Sequence, residues 1–499
     1  MTLQQNLDRA ATLALPGLAI IDGKLAAAKS GKTFANTSPR DGKVLNQVAE
    51  CGPADIDAAV KAARASFEDG RWRNKHPREK KKIMFRLAEL MERDFEDLAL
   101  MESLDMGKPI RDSRGFDIAS AVNSIRWYAE ALDKVYGEVA TTPAERLSFI
   151  VREPLGVVGA IIPWNFPLHM ACWKVGPALA AGNSIVLKPA EQSPLTALKL
   201  GELALEAGVP PGVLNVVPGF GESAGQALAR HMDVDLIAFT GSGEVGRKLM
   251  VYAGESNLKR VSLELGGKSP QIVFADAENL DEAADAAAWA IFFNQGEVCN
   301  AASRLLVEAS IKDAFVEKVL ARAGAYMPGD PLDPATTLGP MVKASAADFV
   351  RGQVSDAVAA GAKAHIDPAA FPRDAAGTPH MAPQILTEVT HDMSVMRDES
   401  FGPVVGIMKV FDDADAIRLM NDSPYGLSAS IWSEDLESAH RIAPMLETGT
   451  VFLNRCDYLD PALAWTGVKD TGRGATLGTL GYEHLTRPKS YHFRLGTKG

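Results

Sequence analysis

The residues with the most chemical potential are Cys299, in Asn294-Gln295-Gly296-Glu297-Val298-Cys299-Asn300; Glu264, before the glycine pair of Glu264-Leu265-Gly266-Gly267-Lys268; and Asn165, held between two prolines in Pro163-Trp164-Asn165-Phe166-Pro167. A thiol in polar surroundings is a candidate nucleophile, and a carboxylate a candidate general base. A rigidly held amide suits an oxyanion donor. Each has a plainer reading: a buried inert thiol, an exposed carboxylate, and an Asx turn.

Gly241-Ser242-Gly243-Glu244-Val245-Gly246 is a G-x-G-x-x-G match. It lies between an expected strand and an expected helix, where backbone amides face a phosphate. Gly219, Gly221 and Gly225 form a second cluster after a strand, so spacing leaves open which turn takes a pyrophosphate. The acid expected ~20 residues after such a turn, on a ribose, falls near Glu264. Lys188 and Glu191, in Lys188-Pro189-Ala190-Glu191, follow another strand and read either as ligand-facing groups or as a solvated ion pair.

Positioning these groups requires strand ends. From Leu155 the chain alternates short, often β-branched runs with helical periodicity. Strands are expected at 157–162, 184–187, 213–217, 236–240 and 261–265, with helices at 168–181, 195–207, 223–231 and 245–253. That alternation predicts a parallel sheet covered by helices. A second such series runs from Ser269 to about Thr450, with strands at 271–274 and 304–307 and helices at 283–293 and 311–324. Residues 54–135 read as helices: Ile56, Ala59, Val60, Ala63 and Phe67, then Met84, Leu87, Leu90 and Met91, recur at threes and fours. Leu147–Val151 and Thr486–Arg494 are β-compatible without an obvious partner, and such strands often pair outside their own domain.

The chain has 499 residues, enough for two or three domains, with 46% apolar and 23% charged residues. Charges of 52 Lys and Arg against 63 Asp and Glu give a net −11 and no long basic run, which argues against nucleic acid and anionic membrane partners. The four cysteines lie more than a hundred residues apart, with no metal or redox spacing, which suits a reducing compartment, the cytoplasm. Ala10–Ile21 is too interrupted for a signal segment, and no apolar run approaches the ~20 residues of a membrane helix.

Taken in order, Pro163-Trp164-Asn165-Phe166-Pro167, Lys188-Pro189-Ala190-Glu191, Phe239-Thr240-Gly241-Ser242, Glu264-Leu265-Gly266-Gly267-Lys268, Gln295-Gly296-Glu297-Val298-Cys299 and Glu399-Ser400-Phe401-Gly402-Pro403 resemble the NAD(P)-dependent aldehyde dehydrogenase superfamily over roughly Asp22 to Lys489. The resemblance implies two Rossmann-like α/β domains and a small β oligomerisation element. It places a cofactor domain at 1–138 and 154–266, a catalytic domain at 267–453, oligomerisation strands at 139–153 and 484–499, and a substrate-entrance segment at 454–483.

By the same resemblance Cys299 is the nucleophile that forms a thiohemiacetal and then a thioester. Asn165 and the Cys299 backbone N–H are the oxyanion donors, Glu264 becomes the general base that activates water, and Lys174 links Glu264 to a proton path. The implied NAD site comprises Ile162, Pro163, Trp164, Lys188, Ala190, Glu191, Gly221, Gly225, Phe239, Thr240, Gly241, Ser242, Val245, Leu265, Gly266, Glu399 and Phe401. Lys188 and Glu191 hold the adenosine ribose, and Glu191 favours NAD while NADP remains open. No metal is expected. A homo-oligomer, a dimer or a dimer of dimers, is implied.

Ile125-Arg126-Trp127-Tyr128-Ala129-Glu130, Asp133-Lys134-Val135-Tyr136-Gly137-Glu138 and Ile150-Val151-Arg152-Glu153-Pro154 further resemble the γ-glutamyl-γ-aminobutyraldehyde and guanidinobutyraldehyde dehydrogenases of polyamine breakdown. The substrate expected from them is an amino- or γ-glutamylamino-aldehyde. Alternatives are a general aliphatic or aromatic aldehyde dehydrogenase, a coenzyme A-acylating one, and, remotely, a non-catalytic protein of this fold. Ala464-Trp465-Thr466-Gly467-Val468-Lys469-Asp470-Thr471-Gly472 departs from the family's P-F-G-G-x-K-x-S-G near the substrate entrance. Phe166, Trp173, Val298, Tyr458 and Trp465 are the candidate pocket residues, with Asp457 and Asp460 as candidate acids for a cationic tail.

Overall fold

The computed structural model describes residues 1–456 and 459–496; Asp457 and Tyr458 lie outside the described residues. Two seven-stranded sheets carry the fold. In the first, the parallel strands Arg260–Glu264, Leu236–Thr240, Val157–Ile161, Ser184–Lys188 and Leu214–Val216 lie side by side in that order. Numbered along the chain from Val157, this is the order 3-2-1-4-5 read from the other edge. A crevice therefore opens beyond the carboxyl ends of Val157–Ile161 and Leu236–Thr240, where the winding direction reverses.

Each central strand of this sheet is fully buried, as apolar runs without alternation require. One face packs against Pro53–Glu68 through Ile56, Ala59, Val60 and Ala63, and against Leu249 of Gly243–Gly254. The other packs against Pro167–Ala181, whose residues are all buried, and beyond it Pro77–Arg93 and Ala119–Ala131. Asp22-Gly23, both at positive φ, turn a hairpin of Ala19–Ile21 and Lys24–Ala26 onto the edge.

The second sheet runs parallel through Gln384–Thr387, Val404–Val410, Arg304–Glu308, Pro270–Val273, Ser428–Trp432 and Thr450–Leu453, with Lys363–Ala364 antiparallel at one edge. These are parallel sheets, as the alternating pattern predicts, in the two Rossmann-like α/β layers that the resemblance implies. Observed strands agree with expectation to within about a residue, whereas helices differ by up to three, the one expected at 283–293 running over Leu280–Phe292 and the one expected at 245–253 over Gly243–Gly254. The helix expected at 223–231 begins as a π-turn over Gly221–Gly225 and continues as Gln226–Arg230.

The two unpartnered segments find each other. Thr486–Arg494 pairs antiparallel with Arg146–Pro154 over nine residues, from Thr486 opposite Pro154 to Arg494 opposite Arg146, and Glu138–Ala140 adds a third strand. Phe149, Tyr491 and Phe493 stack along one face, with ring centroids 5.1, 5.7 and 6.1 Å apart. The outer edge of Thr486–Arg494 has no strand beside it among the described residues.

Candidate active site

The first sheet delivers Asn165 through its switch-point loop. Val157–Ile161 ends, Pro163 and Pro167 bracket the turn, and Pro167 begins the next helix at the position where a missing N–H costs nothing. Asn165 is buried, and its Nδ2 donates to the Glu297 carbonyl at 2.9 Å. Its own backbone carbonyl accepts from Lys108 Nζ at 3.0 Å and Asn294 Nδ2 at 3.1 Å. An amide nitrogen carries two hydrogens, so one remains for a group in the adjoining cavity.

Glu264 closes the strand Arg260–Glu264, in register with Thr240. It is 4% exposed; Oε1 accepts from Thr476 Oγ1 at 3.2 Å, and Oε2 has no protein partner. Burial pushes its carboxyl up to about 7, against the opposing pull of the Lys174 ammonium and the Thr476 hydroxyl. Lys174 Nζ donates to the same Thr476 hydroxyl at 3.4 Å, and burial lowers its own pKa. Thr476 reaches Glu264 because the chain returning from the second sheet runs alongside this strand: Leu263 N–H donates to the Arg473 carbonyl at 3.1 Å and Leu265 N–H to that of Thr471 at 2.9 Å.

Cys299 comes from the second half by a different device. After the helix Leu280–Phe292 the chain makes a tight turn in which Asn294, Gln295 and Gly296 all take positive φ, at 49°, 57° and 73°. A Cβ on Gly296 would collide with the Gly402 carbonyl, so the turn requires glycine. The strain at the two non-glycine residues, ~1 to 3 kcal/mol each, is offset by side-chain bonds. Asn294 Nδ2 also donates to Glu297 O at 3.1 Å, and Gly339 N–H donates to Gln295 Oε1 at 3.3 Å. Cys299 emerges partly exposed, whereas Cys51 and Cys172 are buried. Burial pushes the Cys51 thiol up to about 12 and the Cys172 thiol further in the same direction.

A cavity of about 250 Å³ joins these groups. Its walls include Asn165, Glu264 and Cys299 together with Pro163, Trp164, Thr240, Gly241, Ser242, Leu265, Gly266, Glu399 and Phe401 of the expected cofactor set, and Phe166, Trp173, Val298 and Trp465 of the expected pocket. Tyr458 lies outside the described residues. Phe116, His169, Met170 and Leu459 also line the cavity and were not expected. His169, Met170 and Trp173 share a face of Pro167–Ala181 with Phe166 just before it, a three-and-four spacing that could have flagged them. Phe116 sits on a π-turn, Ser113–Ile118, and has no such signal.

The remaining expected cofactor residues are outside the cavity lining. Ile162 N–H donates to the Lys188 carbonyl at 3.2 Å. Lys188 Nζ bonds Glu191 Oε2 at 3.2 Å, with Ala190 buried between them. Phe239 packs against Gly241, and Val245 N–H donates to the Ser242 hydroxyl at 3.4 Å. Gly221 and Gly225 form the separate π-turn described above. Asp460 does not line the cavity; its Oδ1 accepts from the Ala462 N–H at 2.8 Å, which is a turn-forming role.

This arrangement fits a dinucleotide. Ser242 caps the helix Gly243–Gly254, whose N-terminal amides and dipole favour phosphate. Glu399 lies against Gly266, where any Cβ would displace it, and its Oε1 accepts from the Gly267 N–H at 3.0 Å. Burial pushes Glu399 up to about 7. Phe401, at φ 52°, meets Trp164 edge-on at 5.5 Å. A partly exposed thiol, an amide with a spare N–H and a carboxyl that titrates near neutrality, all on one cavity beside such a site, can carry out covalent chemistry on a carbonyl.

Residues 26–491 match the aldehyde dehydrogenase family. The chain is 47% identical over 483 residues, 97% of each sequence, to the NADP/NAD-dependent aldehyde dehydrogenase PuuC of Escherichia coli strain K12. The structure of the indole-3-acetaldehyde dehydrogenase AldA of P. syringae with NAD+ and IAA superposes with a TM-score of 0.95 at 47% identity, covering 99% of this chain and 100% of that one. A γ-glutamyl-γ-aminobutyraldehyde dehydrogenase structure from Burkholderia cenocepacia J2315 gives a TM-score of 0.96 at 46% identity, with the same coverage. The chain belongs to the aldehyde dehydrogenase family and is an NAD(P)-dependent enzyme that oxidises an aldehyde to its carboxylic acid.

Proposed function

We propose that Cys299, Asn165 and Glu264 divide the reaction between them, and that the observation carrying this reading is their convergence on one cavity. The Cys299 thiolate adds to the aldehyde carbon, and the former carbonyl oxygen becomes an anion. The free Asn165 N–H and the Cys299 backbone N–H stabilise that anion, at about 3 kcal/mol per donor. NAD would be held by Lys188, Glu191, Ser242 and Glu399 and, when bound, would accept the hydride that the thiohemiacetal carbon gives up as it becomes the thioester. Glu264 then takes a proton from water whose oxygen attacks the acyl carbon of the thioester; the carbon–sulfur bond breaks, the acid departs, and the Cys299 thiolate is regenerated. The Glu264 proton has an exit through the Thr476 hydroxyl to Lys174 in its neutral amine form, which burial favours.

A buried Glu264 with one free oxygen supports hydrolysis over transfer to coenzyme A. The Glu191 carboxylate would repel a 2′-phosphate, which supports NAD over NADP. For the substrate, the relatives' names point to an amino- or γ-glutamylamino-aldehyde. The cavity supports this through Phe116, Phe166, Trp173 and Trp465, because aromatic faces attract an ammonium group. The same walls carry, among the described residues, no carboxylate besides Glu264 and Glu399, and this favours a second reading, an arylacetaldehyde like that of AldA.

We assign residues 1–138 and 154–266 to the cofactor domain, 267–453 to the catalytic domain and 454–483 to the substrate entrance. The segments 139–153 and 484–499, which contribute the three-stranded sheet of Glu138–Ala140, Arg146–Pro154 and Thr486–Arg494, are the proposed contact of a cytoplasmic dimer or dimer of dimers. The open edge of Thr486–Arg494 and the stacked Phe149, Tyr491 and Phe493 support it. No helix among the described residues is long and apolar enough to cross a membrane.

The test is NADH formation across short aliphatic, aromatic, amino, guanidino and γ-glutamylamino aldehydes, with Cys299→Ala as the blank. A kcat/KM maximum at the cationic or γ-glutamylated members supports the first reading, and a maximum at arylacetaldehydes the second. Absence of any Cys299-dependent signal overturns both.

A further inference from the structure

Lys108 is buried to 0% exposure, and it follows the Gly107 turn that ends the helix Phe95–Met106. Its ammonium is enclosed by three groups. It forms an ion pair with Asp117, whose side chain is also at 0% exposure; it donates to the Asn165 carbonyl at 3.0 Å; and it sits 3.8 Å from the Phe166 ring centroid. Burying two charges costs several kcal/mol per ion before their attraction repays it, so an apolar pair would hold the fold as well. The pair therefore calls for a reason beyond stability.

The hydrogen bonds around it form a closed ring across the two halves of the site. Asn165 Nδ2 and Asn294 Nδ2 both donate to the Glu297 carbonyl, at 2.9 and 3.1 Å, and Asn294 Nδ2 also reaches the Asn165 carbonyl at 3.1 Å. Asn165 belongs to the first sheet's switch-point loop, and Asn294 and Glu297 to the turn that presents Cys299. Lys108 supplies the second donor to the Asn165 carbonyl and anchors the ring to the π-turn Ser113–Ile118 through Asp117. With that carbonyl fixed from two directions, the Asn165 peptide plane, and with it the direction of the side-chain amide, has little freedom.

We propose that Lys108 is a positioning residue, which acts through the Asn165 carbonyl to hold the oxyanion-donating amide in register with Cys299. The inference rests on the reading of Asn165 as an oxyanion donor. It assigns no contact between Lys108 and the substrate. A displacement of the donor by a fraction of an ångström weakens its bond to the developing anion more than it weakens ground-state binding, so the loss falls on kcat.

The test is a double-mutant cycle on the full-length enzyme, with rates expressed per folded site. Lys108→Met/Asp117→Leu removes both buried charges and leaves neither unpaired. It is measured alone and with Asn165→Ala. In the otherwise natural enzyme kcat should fall at least about tenfold with KM for NAD unchanged, and in the Asn165→Ala background the further fall should stay within about twofold. Equal falls in both backgrounds, or no fall in the first, overturn the positioning role and leave the reading of Asn165 standing. An Asn165→Ala enzyme with undiminished kcat instead overturns the oxyanion reading and the proposal with it. Should the apolar pair not fold, Asp117→Asn, which loosens the ammonium at constant volume, runs the same cycle with the same expected non-additivity.

Discussion

The two parallel sheets meet at the cavity by opposite ends. The first presents the carboxyl ends of its strands: Asn165 follows Val157–Ile161, Lys188 ends Ser184–Lys188, Ser242 follows Leu236–Thr240, and Glu264 ends Arg260–Glu264. The second presents segments that enter its strands: Gly266 and Gly267 precede Pro270–Val273, Cys299 precedes Arg304–Glu308, and Glu399 and Phe401 precede Val404–Val410. The first arrangement supplies helix N-termini and well-satisfied loops, which suit a dinucleotide. The second supplies positive-φ turns at Asn294, Gln295 and Phe401, which push single side chains into the cavity at a cost in strain. On the proposed roles, the base and most of the NAD contacts come from regular strand ends, and the nucleophile, with Glu399 and Phe401, from the segments that enter the second sheet.

The largest blow to this division is Cys299→Ser. A hydroxyl at that position is a far weaker nucleophile near neutral pH, and aldehyde oxidation should fall to background, while NAD binding by fluorescence should hold, because the first sheet's contacts are untouched. An enzyme still active with serine would break the assignment of the strained loop. Asn165→Ala should lower kcat by ~10²- to 10³-fold with little change in KM, and a change confined to KM would return Asn165 to a purely structural place.

The pH profile sharpens the comparison on the other side. The Glu264 carboxyl is pushed up to about 7 by burial, and as a base it must be deprotonated, so kcat should rise as pH climbs through about 7. Glu264→Gln should abolish that limb. A limb that survives the substitution belongs to another group. Smaller again is the effect of Glu191→Gln, which should shift the NAD-to-NADP preference by about fivefold to tenfold towards NADP. Cys456→Ser should leave turnover within about twofold, because that sulfur contacts the Ala286 carbonyl at 3.4 Å away from the cavity lining.

Legibility in the sequence follows the same division. The strand ends at Asn165, Lys188, Ser242 and Glu264 could be read from β-branched runs that stop at Pro or Gly, and that alternation is dictated by the parallel sheet itself. Cys299 reads as an ordinary buried, inert thiol by composition, and only the ordered motifs single it out, because the three left-handed residues that expose it have no periodic signature. Spacing alone would put Glu264 on a ribose, whereas the structure places it against Thr476 and Lys174. Thr476 and Lys108 were not legible as site residues, since each is brought in by segments distant in sequence: a return strand beside Leu263 in one case and a helix end in the other. The mutual pairing of Arg146–Pro154 and Thr486–Arg494 across more than 330 residues escaped for the same reason.

The measurement that bears most directly on the division of labour is rapid mixing of the Glu264→Gln enzyme with aldehyde and NAD. If Cys299 and Asn165 carry acylation without Glu264, and the strand-end carboxylate drives hydrolysis, NADH should appear as a burst of about one per active site, followed by turnover slowed ~10²-fold or more. A linear trace at the natural rate, or loss of the burst itself, would contradict the separation of the two roles.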